Sequence, residues 1–357
     1  MKITKSVLES LLKLLLLPYL SAYFSFSSDS LCLTNLYAET VTINGAGASF
    51  PYPVYTKWFS EYQKEALNVK FNYQPIGSSG GVRQLFSQTV DFAASDVLVS
   101  DKEIASKNLG WNILQIPTVL GSVVVVYNLS GFNLKIDGNV LAQIFKGKIS
   151  KWNDPQIASL NHELKLPNKE ILVIHRSDGS GTTEIFTSYL SIVNQEWKRA
   201  PGSGKALSWP TGIGAKGNDG ISTMIKQTPG SIGYVEYAFA INNNLPMVAI
   251  KNVSGKFIIP SINSMIKAAS ALKNISEINI QKMNADKMNL LNASGDETYP
   301  ITSFTYLIIP IKKQDEKENQ IKKFVKWALS IKGQNMTSSL NYAPLPAELS
   351  KKIIDGI

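Results

Sequence analysis

ILVIHRSDGSGTTEIFTSYL, residues 171–190, is the stretch on which the predicted fold rests. The apolar run Ile171–Ile174 is typical of a buried strand, and the apolar residues after Thr183 recur at helical spacing. A glycine-rich loop joins the two. A helix that begins near Ser180 leaves its first amides without intrahelical acceptors, at the positive end of the helix dipole. Such a helix terminus is suited to binding an anion.

Arg176 and the hydroxyls of this loop strengthen the anion interpretation. A planar guanidinium matches two oxygens of a phosphate or carboxylate, and hydroxyls add further donors. The same residues also fit a capped turn beside a surface arginine, and the loop alone leaves both interpretations open. No lysine follows the second glycine, so the loop lacks the nucleotide P-loop pattern.

The composition is that of an ordinary globular protein. Of the 357 residues, 44% are hydrophobic and 18% are charged. This length predicts two domains. The formal net charge is +9, but the lysines are spread along the chain without a dense basic run or interleaved aromatic residues. This distribution argues against nucleic-acid binding.

Residues 1–38 have the features of a secretory signal peptide. Lysines at the start are followed by an apolar stretch over residues 14–26 and by the small residue Ala38 at the expected cleavage point. An uncleaved anchor is the alternative, although the apolar run is short and interrupted for a membrane span. Cys32, the only cysteine, lies in this segment, so no disulfide is expected in the mature chain. We expect the mature protein in the periplasm or outside the cell.

The first part of the mature chain repeats a pattern of strand, small-residue loop and helix. Strands and helices are predicted to alternate at residues 41–44, 54–66, 69–73, 82–89 and 91–96. The alternation favours a mostly parallel sheet, in which ligands bind at the carboxyl ends of the strands. The residues expected at that edge are Ser49, Phe50, Ser78 and Asp96.

The later part of the chain contains two long β-rich runs, residues 123–127 and 299–309, which are predicted to cross between two domains. The domains would then be residues 39–122 together with 300–357, and residues 123–299. Residues 200–220 are rich in Gly, Ser, Lys and Pro and are predicted to form an irregular loop.

Several strings resemble the phosphate-binding proteins of bacterial high-affinity phosphate ABC transporters. They are GAGASFP (45–51), GSSGG (77–81), DFAASD (91–96), GKISKWND (147–154), RSDGSGT (176–182), KGNDGI (216–221) and GYVEYA (233–238). The resemblance spans essentially all of the mature chain, with the motifs in the family's order. It therefore carries more weight than any one glycine-rich loop.

The resemblance implies an α/β periplasmic binding protein of type II, the Venus-flytrap form. Each lobe would be a mostly parallel sheet flanked by helices, with two strands crossing between the lobes. Such a protein is not an enzyme and has no cofactor; we expect a monomer that closes on one inorganic phosphate and delivers it to membrane permease subunits.

The family's phosphate contacts are carried over residue by residue onto the matching positions. They would be Ser49, Phe50 (by its amide) and Ser78 with Asp96 in the first lobe, and Arg176, Ser180, Gly181 (by its amide) and Thr182 in the second. Asp178 would hold the guanidinium of Arg176 in place. The sequence departs from many relatives in one visible position, where Ser49 replaces a threonine.

Asp96 is a carboxylate in a predicted anion site, where like charges cost on the order of several kcal/mol. Phosphate near neutral pH has a P–OH group that can donate to this carboxylate, whereas sulfate has none. Asp96 is therefore predicted to select phosphate against sulfate and molybdate. A phosphonate or another oxyanion remains an alternative ligand for the same fold.

Two other functions remain open from the sequence, a secreted phosphatase and a structural or adhesive protein. A phosphatase that uses Ser78 or Ser180 as its nucleophile needs a base or metals beside the hydroxyl. The chain contains two histidines, His162 and His175, and no cluster with metal-ligand spacing. His175 is predicted to point away from the site, because neighbours on a strand alternate faces.

Overall fold

The computed structural model describes residues 40–272, 274–312 and 315–357, so the predicted signal peptide lies outside the described residues. The strands are β1 (Val41–Gly47), β2 (Val69–Gln74), β3 (Phe92–Ser95), β4 (Asn112–Tyr127), β5 (Lys135–Ile136), β6 (Leu172–Arg176), β7 (Ile213–Ala215), β8 (Ser231–Glu236), β9 (Ala249–Lys251), β10 (Phe257–Ile258) and β11 (Thr302–Ile311).

The helices lie between and after these strands. The α-helices are α1 (Tyr52–Gln63), α2 (Ser78–Phe86), α3 (Asp101–Ser106), α4 (Gly138–Phe145), α5 (Pro155–Ala158), α6 (Gly181–Val193), α7 (Gln195–Arg199), α8 (Gly217–Gln227), α9 (Tyr237–Asn242), α10 (Ile262–Ala269), α11 (Glu316–Leu329), α12 (Ile331–Asn335) and α13 (Ala347–Gly356). Short 3-10 helices span Ile275–Glu277 and Ser338–Leu340. Over the residues described, none of the helices has the length and apolar character that crossing a membrane requires.

Eight strands form one sheet in the order β2-β1-β3-β11-β4-β8-β6-β7, and β10-β9-β5 form a small second sheet. In the large sheet, β1, β2 and β3 pair in parallel, as do β6, β7 and β8. β4 and β11 run antiparallel to their neighbours. The β-branched residues of Val123–Val126 are fully buried, as expected for a strand covered on both faces.

β4 changes its partner part-way along its 16 residues. Residues 112–122 pair with β11, whereas Val123–Tyr127 pair with β8. The sheet therefore has a first half, which contains β1, β2, β3 and β11, and a second half, which contains β6, β7 and β8. The change of partner falls where the sequence predicted a crossing strand.

The helix predicted at residues 82–89 begins earlier, at Ser78. Gly80 and Gly81 have low helix propensity and obscured its first turn in the sequence. Packing requires one of them, because a Cβ on Gly81 would lie 2.3 Å from the carbonyl oxygen of Ala46. The hydroxyl of Ser78 therefore lies in the first turn of α2, at the positive end of the helix.

The prediction of an irregular loop at residues 200–220 is wrong for the last part of this range. β7 lies there, paired in parallel with β6, and α8 begins at Gly217. Gly217 has a φ of 70°, a backbone conformation that favours glycine and gives no helical signal in the sequence. Packing of α8 on β6 and β8 holds this helix despite its poor propensity.

Candidate functional site

The carboxyl ends of β1, β3 and β6 and the N-termini of α2 and α6 meet between the two halves of the sheet. All eight residues predicted to bind an anion are buried there, and we call them the candidate anion site: Ser49, Phe50, Ser78, Asp96, Arg176, Ser180, Gly181 and Thr182. Hydrogen bonds link members of the two halves directly. The site is therefore assembled from both halves of the sheet.

Asp96 lies directly after β3 and is 1% exposed. Its Oδ1 accepts a hydrogen bond from Thr305 Oγ1 at 3.0 Å, and its Oδ2 accepts one from Thr182 Oγ1 at 3.5 Å. Burial raises the pKa of Asp96 to about 7, although the hydrogen bond from Thr305 and the charge of Arg176 oppose the rise. The carboxyl is thus poised to share or accept a proton near neutral pH.

Arg176 is the last residue of β6, and Asp178 holds its guanidinium by a two-point contact. Arg176 Nε donates to Asp178 Oδ1 at 2.7 Å, and Nη2 donates to Oδ2 at 2.5 Å. Burial alone would raise the pKa of Asp178, but its hydrogen bonds and charge contact with Arg176 hold the pKa below its usual range. The remaining nitrogen, Nη1, lies 3.4 Å from Thr182 Oγ1 and is directed toward the other site residues.

The N-terminus of α6 brings the second half of the sheet against the first. Ser180 caps this helix, since its Oγ accepts a hydrogen bond from Thr183 N at 3.2 Å. Gly181 N donates to Ser78 Oγ at 3.1 Å. A Cβ on Gly181 would lie 2.7 Å from Ser78 Oγ and 2.8 Å from Asp96 Oδ2, so only glycine permits this approach.

Ser49 and Phe50 lie in the turn between β1 and α1. Ser49 Oγ accepts hydrogen bonds from Asn218 N at 3.3 Å and from Asn218 Nδ2 at 3.0 Å. The carbonyl of Phe50 accepts a hydrogen bond from Tyr342 Oη at 2.6 Å. Both residues of the turn are therefore fixed by contacts to distant parts of the chain.

The candidate anion site combines many hydrogen-bond donors with one carboxylate. Hydroxyls, helix-terminal amides and a guanidinium all favour negative charge. Asp96 would repel a fully deprotonated anion, but it can accept a hydrogen bond from an anion that still carries a proton. The arrangement is therefore suited to a protonated oxyanion.

Known proteins are similar to this chain in sequence over most of its length. Residues 36–332 match the family model of the PBP superfamily domain. The phosphate-binding protein PstS of Haemophilus influenzae is 43% identical over 321 residues, which cover 89% of this chain and 92% of that protein. PstS of Pasteurella multocida is 44% identical over 326 residues, which cover 89% and 90% of the two chains. The chain belongs to the PstS family of phosphate-binding proteins.

Solved structures of phosphate-binding proteins share the fold. A high affinity periplasmic phosphate-binding protein bound with phosphate matches with a TM-score of 0.69 at 21% identity, covering 88% of this chain and 93% of the other. The phosphate-binding protein from Stenotrophomonas maltophilia matches with a TM-score of 0.66 at 19% identity, covering 88% and 94%. With the PstS family match, they confirm the predicted two-lobed α/β fold of a periplasmic binding protein.

Two buried residues beside the site were missed by sequence reasoning, Asn218 and Thr305. Asn218 belongs to the PstS-like string at residues 216–221, which is a usable signal, but the loop predicted over residues 200–220 does not place it in a helix. Thr305 lies within a β-rich run and gave no signal. Its contact with Asp96 depends on β11 pairing with β3, a long-range neighbour relation.

His175 faces away from the candidate anion site, as predicted. Its ring stacks on Trp209, with 4.7 Å between the ring centroids and an interplanar angle of 10°. Within residues 40–272, 274–312 and 315–357, no group of three or more His, Cys, Asp or Glu side chains is placed to hold a metal ion. The imidazole of His175 is thus engaged by the aromatic core of the second half.

Proposed function

We propose that this protein captures inorganic phosphate outside the cytoplasm and delivers it to the permease of an ABC transporter. Membership of the PstS family supports the proposal, because its relatives carry the name phosphate-binding protein and a structural neighbour holds phosphate. The observation that carries it is the buried Asp96 surrounded by hydrogen-bond donors. The donors favour a negatively charged ligand, and the carboxylate favours a ligand that still carries a proton.

The proposed phosphate contacts are those of the candidate anion site. A buried dianion must find many donors, and each charge-assisted hydrogen bond contributes about 1.5–3 kcal/mol net. The side-chain hydroxyls, the amides of Phe50 and Gly181, and the guanidinium of Arg176 supply these donors. Asp178 positions the guanidinium and does not contact the ligand itself.

Asp96 is proposed to distinguish phosphate from sulfate. Phosphate near neutral pH keeps a P–OH that can donate to Asp96, so the carboxylate gains a hydrogen bond from the ligand. Sulfate would face the carboxylate with lone pairs only, at a cost of several kcal/mol by order of magnitude. The same reasoning disfavours molybdate.

The proposed lobes are residues 39–122 with 300–357, and residues 123–299, joined by β4 and β11. Two contacts, Gly181 N to Ser78 Oγ and Thr182 Oγ1 to Asp96 Oδ2, join residues of the two lobes. Such contacts form only when the lobes close, so phosphate held between them shifts the population toward the closed form. We expect the closed, loaded form to dock on the permease.

The protein is proposed to act in the periplasm as a monomer after export by the signal peptide at residues 1–38. A periplasmic neighbour of the same fold supports this location. The proposal includes no cofactor, no nucleic acid and no catalytic turnover. A chromogenic phosphomonoester assay should therefore give no turnover above that of buffer.

Equilibrium dialysis against radiolabelled phosphate tests the proposed function. The mature chain is first unfolded and refolded to remove carried-over phosphate, and sulfate is added as a competitor. We expect one phosphate per chain that excess sulfate does not displace, and strongly reduced binding for Arg176→Ala. Absence of bound phosphate in the refolded wild type would refute the proposal.

A further inference from the structure

Asn218 is a fully buried amide side chain in the first turn of α8, outside the proposed phosphate contacts. It lies in the second half of the sheet and contacts Ser49, which follows β1 in the first half. It also contacts the backbone of Glu236, the last residue of β8. The Asn218 side chain therefore connects the end of β8 to Ser49, a proposed phosphate-binding residue of the other lobe.

The contact to Glu236 fixes which way the Asn218 amide faces. The N–H of Glu236 is a donor and lies 3.2 Å from Asn218 Oδ1, so this position requires an oxygen. The Nδ2 group consequently faces Ser49, 3.0 Å from its Oγ. If the amide were flipped, Asn218 Nδ2 and the N–H of Glu236 would face each other as two donors.

Ser49 receives a second hydrogen bond from the same residue, because Asn218 N donates to its Oγ at 3.3 Å. A hydroxyl has one proton to donate and two lone pairs to accept with. With both lone pairs engaged by Asn218, the remaining function of the Ser49 hydroxyl is to donate. The turn that holds Asn218 also supports the opposite side of the site, since Gly217 N donates to Asp178 Oδ1 at 3.1 Å.

We propose that Asn218 is a positioning residue that makes Ser49 an obligate hydrogen-bond donor to phosphate when the lobes close. The proposal rests on the proposed phosphate binding. Without the Asn218 side chain, only the backbone N–H of residue 218 still donates to Ser49 Oγ, so one lone pair is released and can be turned toward a phosphate oxygen. Because Asn218 and Ser49 belong to different lobes, the effect arises only in the closed form.

A double-mutant cycle on phosphate affinity tests this role, with wild type, Asn218→Ala, Ser49→Ala and the double variant measured by calorimetry. We expect Asn218→Ala to weaken binding about tenfold in the wild-type background, the loss of about one hydrogen bond. In the Ser49→Ala background the same change should alter affinity by less than about twofold, because the hydroxyl it orients is gone. Stopped-flow measurements should show that Asn218→Ala releases phosphate faster than wild type, with an unchanged rate constant for phosphate association.

The isosteric variant Asn218→Asp keeps the side-chain volume and the acceptor for Glu236 N. It therefore tests the same role if Asn218→Ala does not fold. Its carboxylate cannot donate to Ser49 and instead accepts the serine proton. We expect phosphate binding about a hundredfold weaker than in wild type, since the Ser49 hydroxyl then turns a lone pair to the anion and the new carboxylate adds a negative charge nearby. Asn194→Ala is the matched control, because Asn194 is a buried asparagine that caps α7 outside the candidate anion site.

The outcomes separate this inference from the proposed function. If wild type binds phosphate and Asn218→Ala weakens binding equally with and without the Ser49 hydroxyl, the inference is overturned and the function stands. Wild-type affinity in Asn218→Asp would also overturn it. If wild type itself fails to bind phosphate, the proposed function and the inference fall together.

Discussion

Replacing Gly181 by alanine adds one methyl group at the point where the two halves of the sheet touch. The new Cβ would lie 2.7 Å from Ser78 Oγ, and 2.8 Å from both Cβ and Oδ2 of Asp96. Ser78 and Asp96 belong to the first half, whereas Gly181 begins α6 in the second. The clash therefore exists only in the closed arrangement, and alanine suits the helical position itself.

The geometry sets the size of the effect. Ordinary contacts of a Cβ begin near 3.4 Å, so the halves must part by several tenths of an ångström at three contacts. The hydrogen bond from Gly181 N to Ser78 Oγ lengthens at the same time. Overpacking of this kind costs about 1–3 kcal/mol, which corresponds to phosphate affinity about 5- to 150-fold weaker.

Calorimetry of Gly181→Ala with phosphate measures this loss, and thermal unfolding without phosphate checks the open form. We expect weaker binding with an unchanged melting temperature of the phosphate-free protein. Gly220→Ala is the matched control, because its Cβ would make only ordinary contacts, at 3.5 Å or more. Wild-type affinity in Gly181→Ala would refute the view that phosphate is held where these halves meet.

Three further predictions concern the charged groups of the site. Asp178→Asn should lower the melting temperature and weaken phosphate binding at least about tenfold in calorimetry, because the buried Arg176 loses its charged partner. Thr305→Val removes the donor to Asp96 Oδ1 and should weaken phosphate binding by about tenfold in equilibrium dialysis at pH 8. Because burial in the closed form raises the pKa of Asp96 to about 7, the closed form holds a proton that an open form, with Asp96 in water, releases above the ordinary value of 3.8. Small-angle scattering of the phosphate-free protein should therefore show a closed population that decreases as the pH rises from about 4 to about 7, and Asp96→Asn should flatten that decrease.

The parts of the site that follow from local sequence were predicted. A strand, a glycine loop and a helix in residues 171–190 place Arg176 and Ser180 with little ambiguity, since strand ends and helix starts have local signals. Asp96 is placed by the same logic, at the carboxyl end of its strand. These three residues could be placed because each lies at the end of a strand or the start of a helix that the local sequence predicts.

The parts of the site that depend on distant contacts were not predicted. Thr305 reaches Asp96 only because β11 lies beside β3, and Asn218 reaches Ser49 only across the two halves. The start of α2 at Ser78 was missed because Gly80 and Gly81 hide a helical turn that packing against β1 stabilises. In α2 a tertiary contact overrides local propensity, whereas Thr305 and Asn218 depend on contacts between residues far apart in the chain.

Calorimetric titration of refolded, phosphate-free wild type and Asp96→Asn, each with phosphate and then sulfate, tests the central claim most directly. We expect wild type to bind phosphate tightly and sulfate weakly, because only phosphate brings a proton to the buried carboxylate. In Asp96→Asn the preference for phosphate over sulfate should shrink, with sulfate gaining affinity. An equal phosphate-to-sulfate preference in the two proteins would contradict the claim that Asp96 selects the ligand.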